Sequence, residues 1–164
     1  FFKIYWLAIL LAVALAVIVD WVRIRKFSIF PKNFFNAHAP VSEKFHQASL
    51  LCLSLGLFIS ALVMWNNAYL KLFYFKKLQL DTFFLGYSFP ISLITLSMIF
   101  SYMKGQDVYS RLIVRLQNMG FWNVNLGVII FFIFILLEQL ILQLVVTTIL
   151  FFSVVLIYFM YKYL

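Results

Sequence analysis

From Asn125 to Leu164 the chain runs forty residues with one acidic side chain, Glu138, no proline, and no glycine after Gly127. An apolar run of that length is the strongest constraint on the fold. A strand that crosses a membrane in a barrel alternates apolar and polar residues. Here the apolar residues are consecutive, which leaves helices. A helix rises about 1.5 Å per residue, so forty residues in one helix would reach about 60 Å, against about 30 Å for the hydrocarbon of a bilayer. Two antiparallel spans over about 121–137 and 145–161 are therefore expected, with a turn near "EQLILQ", residues 138–143. The alternative is four spans, the last one very long. Residues 138–143 offer no Gly, Pro, Asn or Asp for a turn, which is the argument on that side.

The rest of the chain asks for the same solvent. Hydrophobic residues make up 66% of it and charged residues 11%, where soluble domains hold about 45–50% and about 25%. A water-soluble fold of this size could not hide so much apolar surface. The expectation is an all-α integral membrane protein, 1–164 forming a single helical transmembrane domain of five spans. The first three fall at about 4–22, 48–65 and 82–103. Residue 1 is Phe, so a natural start upstream is expected. Ala12-Val13-Ala14 and Ala14-Leu15-Ala16 resemble the cleavage end of a secretory leader. The apolar run continues to Val19, and a retained span is the reading adopted.

Charge collects at the span ends. Asp20 and Arg23 stand three apart at the end of the first span, the spacing of a helical ion pair. Arg23, Arg25 and Lys26 open a polar loop, 23–46, in which Phe27, Phe30, Phe34 and Phe35 suit a segment at head-group level. Ser42 is read as opening the second helix. That helix carries Ser49, Ser54, Gly56, Ser60 and Ala61, small residues of the kind that mark helix–helix contacts in lipid. Pro90 should kink the third span. Between spans, "KGQDVYSRLIVRLQNMG" (104–120) places Val108, Leu112, Leu116 and Met119 on one face and Asp107, Arg111 and Arg115 on another. A short interfacial amphipathic helix is expected there. Arg111, Arg115, Arg23, Arg25 and Lys26 are thus the candidate contacts to anionic lipid head groups or a partner.

With five spans, loops one and three and the C-terminus share a side that holds nine basic residues against four on the other. Basic residues accumulate on the cytoplasmic side, so that side is expected to face inward. The net charge of +8 then points to anionic lipid. No zinc-finger pattern, RNA-binding motif or long basic tract points to nucleic acid.

The search for chemistry returns little. The chain lacks GxxxxGK[ST], HExxH, CxxC and GxSxG. Both histidines, His38 and His46, fall outside the spans, so no haem-binding helix pair is expected. Their spacing with Glu43 matches no common metal-ligand set. Cys52 is the one cysteine. No enzyme activity and no cofactor are expected. Glu138, Gln139 and Gln143 remain as a candidate ion or subunit contact, because ionisable groups within spans are costly and often functional. If the end of the chain is two helices, Glu138 becomes a turn residue. The expected role is a non-catalytic subunit, scaffold or anchor of a larger assembly of secretion, transport or respiratory type. Its expected home is the bacterial inner membrane, or alternatively the mitochondrial one. A small oligomeric transporter or channel, or the membrane part of a sensor, is the alternative.

Overall fold

A computed structural model of the chain describes residues 5–36, 39–72, 84–103 and 111–163. Among these residues all regular structure is helical. Among the described residues there are five α-helices: α1 Tyr5–Lys26, α2 Val41–Trp65, α3 Phe89–Tyr102, α4 Arg111–Leu136 and α5 Leu140–Tyr163. Among the described residues, four segments are long and apolar enough to cross a membrane, namely α1, Val41–Leu70, α4 and α5. This is the layout of a multi-pass membrane protein. The fifth helix, α3, occupies the expected third span, where Pro90 follows a π-helical turn, Phe84–Ser88. Proline cannot donate to the carbonyl four residues back and crowds it, and the wider π turn lies where that conflict arises.

The chain divides into two compact units, Phe1–Lys32 with His46–Ile94, and Asn33–Phe45 with Thr95–Leu164. In the first unit Gly86 approaches Gly56 so closely that a Cβ on it would lie 3.2 Å from the Gly56 backbone. Only a bare glycine lets the π turn rest on α2 there. The Ser49 hydroxyl donates to the Pro90 carbonyl at 2.9 Å, fixing the first turn of α3 to α2.

In the second unit α4 and α5 pack closely along their length. The buried residues of α4 are Gln117, Gly120, Phe121, Val124 and Gly127, and those of α5 are Val146, Ser153, Ile157 and Met160. Gly120 faces Ile157 and Gly127 faces Leu150. Both pairs are offset by seven residues in opposite directions, the register of an antiparallel hairpin. Phe121, 1% exposed, centres an aromatic cluster. Its ring lies 5.2 Å from Phe34, 5.1 Å from Phe45 and 5.4 Å from Trp122. Such pairs add about 0.5–1.5 kcal/mol each beyond burial. The Ser97 hydroxyl donates to the Ser42 carbonyl at 2.7 Å.

Four expectations change. The alternative of one very long last helix is overturned, because the helix breaks at Leu137–Gln139. The turn is also tighter than 138–143, so α5 begins at Leu140 and contains Gln143. The separate interfacial helix is overturned as well. Residues 104–110 lie outside the described residues, and Arg111–Gly120 is the first part of α4. Gly120 does not end that helix, since its missing side chain makes room for Ile157. Finally, α2 opens at Val41, directly after Pro40, whose carbonyl accepts from the Glu43 and Lys44 amides. Ser42 lies inside it.

Candidate functional site

The basic end of α1 and the groove beside it form the most developed site. Basic side chains favour a helix C-terminus because its free carbonyls carry partial negative charge. Arg23 uses that position fully. Its Nε donates to Asp20 Oδ1 at 2.8 Å, and one terminal nitrogen donates to the Ser28 and Ile29 carbonyls at 3.2 and 3.1 Å. The residue is 4% exposed. The expected ion pair is thus present, and it also folds the following loop back over the helix end. Ser28 turns its own hydroxyl to the Phe30 carbonyl.

Arg25 and Lys26 are exposed. The Arg25 guanidinium lies 5.8 Å from the Trp21 ring centre, and the Lys26 ammonium 5.5 Å from that of Phe27. Phe27 in turn meets His46 at 5.7 Å. Trp21 is one wall of a groove of about 510 Å³ between α1 and α2. Val17, Leu55 and Phe58 complete its walls, and Ala16 and Ser54 make its floor. The Ser54 hydroxyl is spent on the Leu51 carbonyl at 3.0 Å. The groove is therefore apolar along its length, with Asp20 and Arg23 at one end.

The second cluster, Glu138, Gln139 and Gln143, sits at the tip of the α4–α5 hairpin. Glu138 is exposed and takes a positive φ of 58°. Its amide donates to the Ile135 carbonyl at 3.1 Å, and the Gln139 amide donates to Phe134 at 3.0 Å. This pair of bonds, with a left-handed residue between them, is the Schellman ending of a helix. The Gln143 side-chain amide adds a second bond to the Phe134 carbonyl at 3.0 Å. The three polar residues thus come together, and Gln139 and Gln143 satisfy carbonyls that a helix end leaves open. Arg111 and Arg115 are exposed in the first two turns of α4, away from these clusters in sequence and not joined to them by any described bond.

Other polar residues were not anticipated. Lys44 is 1% exposed, and its ammonium donates to Asn118 Oδ1. Gln47, one turn on, is fully buried, and neither of its amide atoms has a hydrogen-bond partner among the described residues. A sequence signal existed, since Val41, Lys44, Phe45 and Ala48 share one helical face. The groove had no such signal, because its depth depends on which small residues meet across two helices. His38 lies outside the described residues, and among those described no cluster of His, Cys, Asp or Glu could hold a metal ion. With this geometry in view, no family model matches the chain, and neither a curated protein nor a solved structure is similar to it.

Proposed function

We propose that the chain is a non-catalytic multi-span subunit of a larger assembly in an inner membrane, bacterial in the first instance, where it acts as scaffold or anchor. Secretion, transport and respiratory complexes are the classes of assembly that use such subunits. One observation carries the reading. A transporter would need hydroxyls facing a common path, and of the candidates Ser49, Ser54, Ser60, Ser88, Ser92, Thr95 and Ser97, four (Ser49, Ser54, Ser92 and Ser97) donate to backbone carbonyls instead. Ser49 and Ser97 tie neighbouring helices together, and Ser54 and Ser92 bond back to their own helical turns. The outward residues of α5, such as Phe151, Phe152 and Tyr158, are large and apolar, which suits contact with lipid or other spans. The 26 residues of α4 extend about 39 Å, longer than the hydrocarbon core, which carries Arg111 and Arg115 into the head-group region.

The test is purification of the intact chain from its native membrane in mild detergent, with mass spectrometry of what accompanies it. A stable set of other membrane chains is expected. A lone homo-oligomer that passes ions or solutes in liposomes would overturn the proposal. The proposed orientation has its own check. A cysteine in place of Ser42, with Cys52 changed to Ser, should be shielded from an impermeant thiol reagent in intact cells.

A further inference from the structure

The groove beside α1 has walls, a floor and a charged end, and its opening faces outward along two segments long and apolar enough to span a membrane. We propose that it holds one acyl chain of an anionic phospholipid, whose head group rests on Arg25 and Lys26. The inference rests on membrane insertion and is independent of the assembly role.

Three features select this occupant. The first is depth without polarity. Ala16 and Ser54 are small and lie at the floor, 5% and 7% exposed, while Val17 and Trp21 stand beside them at 62% and 61%. From Ala16 to Ile24 the groove follows α1 for about 12 Å at the helical rise. A flexible hydrocarbon chain can fill such a slot between Trp21 and Phe58.

The second is the balance of charge at the end of the slot. Asp20 is engaged by Arg23, which is itself buried and bonded to two carbonyls. That pair is neutral. Arg25 and Lys26 are left exposed with two positive charges, and Arg25 lies directly over Trp21, a wall of the slot. A head group with negative charge is matched there, and a zwitterionic one much less so. Tryptophan at this level is also typical of the membrane interface.

The third feature argues against a helix from another protein. Helices associate in lipid through small residues that let backbones approach. Ala12 and Ala16, the small residues of α1 near the groove, are already covered within the chain. The surface left open presents Val17, Trp21, Leu55 and Phe58, which hold a second backbone at a distance but accommodate a thin chain.

The experiment uses the full chain in a neutral detergent, exchanged in parallel with phosphatidylglycerol and phosphatidylcholine, and read by native mass spectrometry. The unaltered chain should retain one phosphatidylglycerol in preference to phosphatidylcholine. Val17→Trp, which fills the slot from an exposed position, should abolish retention of both lipids, and Leu55→Trp should do the same from the opposite wall. Val154→Trp, exposed on α5, should have no effect. Arg25→Gln with Lys26→Gln should keep lipid in the slot and lower the preference for phosphatidylglycerol by about thirtyfold, the effect of two basic residues at an anionic surface. Circular dichroism of each variant checks that helix content is kept, and the two wall variants guard against a folding failure in either one. Undiminished retention in both wall variants would overturn the proposal. So would equal loss in Val154→Trp, an unchanged preference in the double Gln variant, or no preference in the unaltered chain. A co-purifying protein released by Val17→Trp in place of lipid would assign the slot to a partner helix and overturn it as well.

Discussion

The α4–α5 hairpin and the α1–α2 pair solve the same problem in opposite ways. Both join two long apolar helices. In the hairpin, Gly120 and Gly127 meet Ile157 and Leu150, so a large side chain on one helix enters a vacancy on the other. The turn between them spans Leu137–Gln139, and helix ends bind each other through it. Between α1 and α2 the connection is long, and a slot lined by Ala16 and Ser54 remains. At the end of α1, Arg23 instead holds the following loop by reaching the Ser28 and Ile29 carbonyls. Small residues close a helix pair only where the partner offers something to fill them. Where it does not, the same residues make a cavity.

The comparison can be broken first at Arg23. Replacing it with Met removes the partner of a part-exposed Asp20 and frees two carbonyls, and should destabilise the chain by about 2 kcal/mol. The readout is unfolding in mixed micelles of rising dodecyl sulfate content, and joint replacement of Asp20 by Leu should recover part of the loss. Next comes Gly127→Leu. A Cβ there would already lie 2.7 Å from a Leu150 methyl, and overpacking should cost about 2 kcal/mol in the same assay. Adding Leu150→Ala should restore most of it, because the bulk then merely changes sides. Failure of that rescue would mean that the hairpin is not held by this interdigitation.

A smaller change sharpens the contrast in the opposite sense. Glu138 holds φ 58° and Lys71, at the end of the π turn after α2, holds φ 52°. Left-handed backbone costs an ordinary residue about 1 kcal/mol and costs glycine little. Glu138→Gly should therefore stabilise the hairpin by about 1 kcal/mol. Lys71→Gly should give a similar or lesser gain. A loss of stability in Glu138→Gly would show that the carboxylate itself contributes to the turn.

The helices were legible because continuous apolar runs have few ways to satisfy their backbone groups in lipid. The pair Asp20–Arg23 was legible from spacing alone. The position of the last turn was not, because no Gly or Pro marks it. Glu138 accepts the left-handed conformation, and Gln143, expected in the turn, instead reaches back from α5 to the Phe134 carbonyl. The start of α4 was misplaced for a related reason. Gly120 resembles a stop signal along one helix and acts as a socket once a second helix is present. Both errors arise from tertiary contacts overriding local preference, which a single segment cannot reveal.

The tightness of the last turn also bears on how the two final helices enter a membrane. Segments joined by three residues cannot be threaded far apart, so they insert as one looped object. In the orientation expected from the basic residues, with the C-terminus inside, the tip of the loop would have to be carried across the hydrocarbon. Among residues 125–161 its single ionisable carboxylate or amine is Glu138. Moving one acidic group through the bilayer centre costs about 2.5–3.5 kcal/mol on insertion scales, a sum that a few leucines and isoleucines on either flank outweigh. A lysine or a second acid at the tip would raise that barrier without touching any contact in the folded protein.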